Sequence, residues 1–478
     1  MATKKKTTAV RRKATKEMSE GSLGIPAPLT TETAGREDGV ETTGRFIIVF
    51  KDEVADDASA IRSTLKQMAG LRDVTSSSDY ASGAVAAEDL AEREVVHFEQ
   101  LGIAVVSSAE AIQTLSTTSL DADSPILAIE PEYVARLSSA SPAVLDLGYL
   151  RGYRAAVNHL YDQLTTPEQA AEEEAEIRAT FQDTAQFTWG LQATGASTSR
   201  HNGQGIKVAV LDTGIDLQHP DFSGRAIVSE TFSGFPVQDI NGHGTHCIGT
   251  ACGPQRPATG VRRYGVATAA QIFAGKVFNN DDDPGADTRH VIAGIEWAIA
   301  NGCRIVSLSL GVRIDQQLEQ YRTPIRRALN AGTLVVCAAG NNANRPGLPG
   351  FDPNRPSTNG FVEPPANADH SMAVAAIDSQ MRIARFSARS SQVTGVGGIV
   401  NIAGPGVAVF SSVPVSRGSH AFFNGTSMAT PHVAGLAALW AQAEGLSGMA
   451  LWNRLVQSAR PLSLASADVG AGLAQAPQ

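Results

Sequence analysis

The chain has 478 residues, 42% of them apolar, enough for one large core and a smaller one. Asp and Glu (48) outnumber Lys and Arg (39), and the net charge of −9 excludes nucleic acid as the main partner. No run of 18 or more apolar residues occurs, so neither a transmembrane span nor a membrane partner is expected.

Residues 1–44 are rich in Thr, Lys, Glu and Gly and carry charge without an apolar segment. They read as a disordered basic tail rather than a secretory leader, and a cytoplasmic protein is expected. "RFIIVFK" (45–51) predicts a strand. Ile61, Leu65, Met68 and Leu71 give helical spacing over 55–71. "IAVVSS" (103–108) predicts a strand, "AEAIQTLS" (109–116) a short helix and "ILAIEPEYVARL" (126–137) a broken strand. Together, 45–137 predict a small α+β domain. Residues 138–186 change character. An amphipathic run is followed by "TPEQAAEEEAEIRA", with Thr166 as N-cap, Pro167 at N1 and Gln169 at N3, so a helical linker is expected.

The stretch 187–465 has an α/β rhythm, followed by a tail at 466–478. "IKVAVLD", "QIFAGKVF", "RIVSLSLG", "TLVVCAAGN" and "MAVAAID" are near-continuous apolar runs, as expected of strands buried on both faces of a parallel sheet. Helical patterns lie between them, for example 287–302 with Asp287 as cap and Gly302 as stop. The expected fold is a doubly wound, mostly parallel sheet. Cys247, Cys252, Cys303 and Cys337 show no metal-ligand spacing and sit among apolar residues, which predicts buried free thiols.

In such a sheet, ligands bind outside the carboxyl ends of the strands. Asp212 ends one run, Leu310-Gly311 another and Asn341 a third. His243, in "NGHGTHCIGTACG", and Ser427, in "NGTSMATPHVAG", each open a helix facing the same crevice. These types suit acyl transfer. A serine hydroxyl needs a base, His243 has the pKa for that task, and Asp212 would hold the imidazole. The Ser427 N–H and the Asn341 amide would meet an oxyanion. Taken singly, each residue is explained as a turn residue or cap. Only their coincidence argues for catalysis.

"VAVLDTGIDLQHPDF", "NGHGTHCIGT", "GIEWAIANGCRIVSLSLG", "VVCAAGN" and "FNGTSMATPHVAG" follow one another in the order Asp, His, Ser. Over roughly 187–460 the chain resembles the subtilisin-like serine proteases, the subtilase family. The resemblance implies a triad of Asp212, His243 and Ser427, Asn341 as oxyanion donor and His246 as a structural neighbour. It implies that Ser309, Leu310 and Gly311 pair with the backbone of a polypeptide substrate. It also implies that 45–137 is a ferredoxin-like propeptide, an intramolecular inhibitor whose end near "EPEYVARL" occupies the cleft. A serine endopeptidase made as a self-processing zymogen is the expectation. A peptide ligase on the same fold and a non-catalytic binding module are the alternatives.

No cofactor is expected in the chemistry. Asp221 stands where the family often has a structural calcium ligand, but "GPQRPATGVRRYG" (253–265) offers Arg256, Arg262 and Arg263 and no carboxylate, so no metal site is expected. Glu363 aligns near the floor of the pocket for the residue before the cut. With Asp281, Asp282 and Asp283 it predicts a preference for basic residues.

Overall fold

The computed structural model describes residues 36–37, 40–71, 73–108, 112, 124–137, 181–281, 284–343, 360–390 and 398–478. The expected tail up to residue 35, the helix at 109–116 apart from Ile112, the linker over 138–180, and Asp282 and Asp283 lie outside the described residues.

The N-terminal region is built on β1 (Val40–Phe50), α1 (Ala58–Ala69), β2 (Val74–Ser76), β3 (Val95–Phe98), β4 (Ile103–Val106) and β5 (Ile126–Leu137). Ile47, Ile48, Val49 and Phe50 are all fully buried, which explains the unbroken apolar run of β1. The Asp57 side chain accepts from the Ala60 N–H and caps α1, and Gly70, in the left-handed region at φ +69°, ends it. β1 begins five residues earlier than the apolar pattern indicates, because the residues after Val40, from Glu41 to Arg45, are mostly polar and at least partly exposed. β5 is one continuous strand, not a broken one. Its pairing with β1 is irregular twice, between Thr42 and Phe46 of β1, where Gly44 at φ +81° allows a bulge, and at Leu127 of β5, opposite the Val49–Phe50 step. β2 and β3 are short strands that periodicity did not reveal.

The larger region contains β6 (Lys207–Asp212), β7 (Ile227–Thr231), α2 (His243–Cys252), β8 (Gln271–Lys276), β9 (Gly285–Asp287), α3 (Thr288–Ala300), β10 (Ile305–Leu308) and β11 (Leu310–Gly311). It continues with α4 (Glu319–Asn330), β12 (Leu334–Ala338), β13 (Met372–Ile377), β14 (Ile402–Pro405), β15 (Val409–Ser412), β16 (His420–Phe423), α5 (Thr426–Glu444), α6 (Gly448–Ser458) and α7 (Ser466–Val469). Seven strands form a sheet in the order β14-β13-β12-β10-β6-β8-β7, every pairing parallel. Along β6, Val208 and Val210 enter one apolar cluster while Ala209 and Leu211 enter the other, so the strand is covered on both faces. The chain turns to opposite sides after β6 and β10, and the crevice at their carboxyl ends is the switch point where such sheets bind ligands.

A second sheet joins the two regions. β5 lies between β1 and β9, and its last residues pair antiparallel with β11, Leu137 opposite Leu310 and Arg136 opposite Gly311. The C-terminal residues 466–478, expected to be a tail, are packed instead. Leu473 is fully buried and bridges to both Ala403 and Arg460. Val469, Leu473 and Ala474 are buried in the apolar clusters, but small residues dominate the segment and its apolar positions follow no helical or strand period, which hid this.

Candidate functional site

Asp212 ends β6, and its Oδ1 accepts from His243 Nδ1–H at 2.8 Å and from the Thr213 N–H at 2.7 Å. Both side chains are buried, 1% and 2% exposed. Burial alone would lower the His243 pKa, but the Asp212 carboxylate outweighs it and holds the imidazole well above its ordinary value. The bond at Nδ1 leaves Nε2 at the opposite edge of the ring. That atom is buried and has no hydrogen-bond partner among the described residues.

Ser427 is the second residue of α5, which begins after Gly425. Its hydroxyl donates to the Ser309 carbonyl at 3.1 Å, and the Ser309 hydroxyl donates to the Ser427 carbonyl at 2.9 Å. The second bond has a cause in the sequence. Pro431, four residues on, lacks the N–H that would have paired with the Ser427 carbonyl. Ser309 and the Cys247 thiol, 3.5 Å away, fill that place. Cys247 Sγ is also 3.8 Å from His243 Nδ1, so it lies between the two. Burial pushes the Cys247 thiol up, which keeps it a neutral packing group. All four cysteines are buried and free.

Asn341 follows β12. Its Oδ1 accepts from the Thr426 N–H and the Thr426 hydroxyl, both at 3.0 Å. Two donors on the oxygen fix the amide orientation and turn Nδ2 the other way. The structure therefore brings Asp212, His243, Ser427, Asn341 and Ser309 to one crevice, with β11 alongside. His246 stands apart from it. Its Nε2–H donates to the Val409 carbonyl, its ring stacks on Phe423 at 4.5 Å, and burial lowers its pKa to about 3.

Glu363 is 5% exposed and packs behind the crevice. Its Oε1 accepts from Asn342 Nδ2 at 2.8 Å. A Cβ at Gly311 would meet Glu363 Oε2 at 2.4 Å, and one at Gly340 would meet Glu363 Cδ at 2.9 Å. The carboxyl therefore lies against β11 and against the turn that carries Asn341. Burial raises its pKa to about 7. Asp281 is exposed and bonded to Asn279.

Sequence reading missed the support behind Asp212. The Asp239 carboxylate accepts from the Thr213 hydroxyl, from the Gly242 and Thr245 N–H groups and from the Thr245 hydroxyl, and so ties the end of β6 to the start of α2. Lys276, 1% exposed, donates to the Thr213 carbonyl at 2.5 Å. Burial lowers its pKa, offset in part by Asp239 and Asp212. A lysine inside the apolar run "QIFAGKVF" was the signal available. Asp287 was expected to cap α3 and is its N-cap residue. Its carboxylate makes no cap bond, however, and pairs with Arg289 instead.

The residues near Asp221 do not fit a calcium ion. Its oxygens accept from the Thr259 N–H and hydroxyl, from the Tyr264 hydroxyl at 2.7 Å and from His420 Nε2 at 3.0 Å. Burial would raise the Asp221 carboxyl, but the bonds from His420, Thr259 and Tyr264 hold it well below the usual range. Calcium takes six to eight oxygens, whereas the ligand-type groups beside the Asp221 carboxylate are the imidazoles of His219 and His420.

A profile of the subtilase family matches residues 203–472, more than half of the chain. The chain is similar to subtilisin E of Bacillus subtilis (35% identity over 253 residues, 52% of this chain and 58% of that one). It is similar to thermitase of Thermoactinomyces vulgaris (36% over 242 residues, 50% and 76%) and to an alkaline protease of Shouchella clausii (37% over 311 residues, 64% and 72%). It thus spans 58% of the length of subtilisin E. Among solved structures, S41 psychrophilic protease aligns with a TM-score of 0.50 at 29% identity, over 61% of this chain and 99% of that one. Fervidolysin from Fervidobacterium pennivorans, a keratinolytic enzyme related to subtilisin, aligns with a TM-score of 0.61 at 21% identity, over 93% and 61%, and supports the fold. The chain belongs to the subtilase family of serine peptidases.

Proposed function

We propose that the chain is a serine endopeptidase working through an acyl-enzyme, with Asp212, His243 and Ser427 as its triad. The observation that carries this reading is the buried Asp212–His243 bond at the end of β6, with Ser427 at the start of α5 on the other side of Cys247. His243 Nε2 takes the Ser427 proton as the hydroxyl attacks a peptide carbonyl. Asp212 holds the imidazole in the Nδ1–H tautomer and stabilises the imidazolium. The Ser427 N–H and Asn341 Nδ2 receive the oxyanion. His243 then returns the proton to the leaving amine, and water repeats the cycle on the ester.

The N-terminal region acts as an inhibitory propeptide in this reading. Supporting it, Arg136 and Leu137 pair with Gly311 and Leu310, beside the Ser309 carbonyl that accepts from Ser427. In this reading the end of β5 lies beside the site, and processing falls between residues 138 and 200. Glu363 favours Lys or Arg before the cut, because its carboxyl lies against both β11 and Gly340. Intact-mass measurement of the wild type beside Ser427→Ala, with fluorophosphonate labelling, tests the reading. A shortened wild type labelled on Ser427, beside a full-length unlabelled variant, is expected. Absence of label from the wild type would overturn it.

A further inference from the structure

The cluster around Asp221 that does not fit calcium has a donor set of another kind. One ligand atom each from His219, Asp221 and His420 lies within 4.8 Å of the other two. All three residues belong to different turns of the chain's surface from the triad, and Asp221 and His219 are 3% and 1% exposed. Two imidazoles and one carboxylate are poor ligands for calcium and good ones for a borderline divalent transition ion. We propose that His219, Asp221 and His420 form a site for such an ion, of which zinc and cobalt are the probes.

The surroundings are already arranged as the outer shell of a metal site. His219 Nε2–H donates to the Ser419 carbonyl at 2.8 Å, which fixes the tautomer and leaves a lone pair on Nδ1. That lone pair receives only the Asp221 N–H, at 3.2 Å. The Asp221 carboxylate is oriented by Thr259 on Oδ1 and by the Tyr264 hydroxyl on Oδ2. Oδ2 also faces His420 Nε2 at 3.0 Å, and the Thr259 hydroxyl lies 3.2 Å from Oδ2 and 3.4 Å from that nitrogen. Two ligands of one zinc ion, each about 2.0–2.2 Å from it, stand roughly this far apart, so an ion beside the line joining the two atoms would displace the proton between them. The rings are held as well. His420 stacks on Phe410 at 5.3 Å, and His219 packs edge-on against His420 at 5.3 Å and tilted against Phe222 at 5.5 Å. A bound ion would fasten the His219–Phe222 turn to β16, the strand that leads into Ser427.

The test uses the untagged full chain carrying Ser427→Ala, stripped with chelator. Cobalt absorption and zinc calorimetry report binding, and melting with zinc, cobalt or calcium reports linkage. One ion per chain, a visible cobalt band of four- or five-coordinate type, and a melting temperature raised by zinc and cobalt but not calcium are expected. His420→Phe, which keeps the stack on Phe410, should weaken binding by at least about tenfold. Its metal-free melt reports folding, and His420→Gln decides the matter if the phenylalanine variant does not fold. Asp212, His243 and Cys247 form a second group of ligand types within 4.8 Å. Binding that survives loss of His420 and disappears in Cys247→Ser would assign the ion there and overturn the proposal. Failure of either metal to bind at millimolar concentration would overturn it too.

Discussion

A buried carboxyl that titrates near neutrality behaves differently from a surface one, and Glu363 is the residue where this bears on the proposed selectivity. Burial holds its pKa near 7, so below that pH it is largely neutral and above it charged. Attraction for a Lys or Arg side chain should therefore grow as the pH rises from about 6 to 8. The ratio of kcat/KM for a lysine substrate over its norleucine analogue is the measurement. In Glu363→Gln the ratio should fall by roughly tenfold at pH 8 and lose its pH dependence, the size expected of one partly screened charge pair. An unchanged ratio would remove Glu363 from the pocket. Glu363 was singled out only through alignment to a motif. The support given by Asp239 and Thr426 was not, since nothing in their local sequence tells a bonded buried polar group from an exposed one; only Lys276, inside an apolar run, left a signal.

At the scale of elements, the strands buried on both faces and the two helices that open on His243 and Ser427 were readable, because continuous apolar runs and small-residue helices leave strong patterns. What those patterns could not give was the distance between the helices. Gly435 on α5 supplies it: an added Cβ would lie 2.6 Å from Val266 Cβ and 2.9 Å from the Ala251 carbonyl on α2. Neither contact is the mobile end of a side chain. Gly435→Ala should thus cost about 1–3 kcal/mol through overpacking, despite the better helix propensity of alanine. Melting of the Ser427→Ala background with and without the substitution should show a fall of several degrees. An unchanged or raised melting temperature would mean that α5 is free to shift. Strand ends were read less well. In β1 a polar, partly exposed stretch separates Val40 from the apolar run, and the buried residues of the C-terminal segment are spaced irregularly, so neither shows as an apolar period.

The whole molecule is joined by carboxylates that cross between its two regions, and no pattern in the sequence announces them. Glu130 accepts from the N–H groups of Glu319 and Gln320 at the start of α4. Glu132 accepts from the Arg289 N–H in the first turn of α3 and pairs with its guanidinium at 2.7 Å. Each caps a helix of the larger region from β5. Glu296 on α3 reaches the other way, and its Oε1 accepts from the Ser77 hydroxyl and the Gln100 N–H. Its Oε2 is buried without a partner among the described residues, and burial raises its pKa to about 7. A carboxyl raised above its free value near 4.5 favours the docked, folded state most below that value. The advantage is lost as pH rises through 7, and over this window the shift corresponds to about 3 kcal/mol. Glutamine in its place keeps the accepting oxygen and carries no charge. The stability of Glu296→Gln relative to its Ser427→Ala parent should therefore improve steadily from pH 4.5 to 7 and level off above. Taking the difference cancels the buried histidines, whose lowered pKa values tilt both proteins the opposite way. Denaturant titrations at several pH values would measure it. A difference that stays flat, or that grows in favour of glutamate as the pH rises, would mean that the docked Glu296 is ionised throughout. Docking would then have no link to pH at this residue.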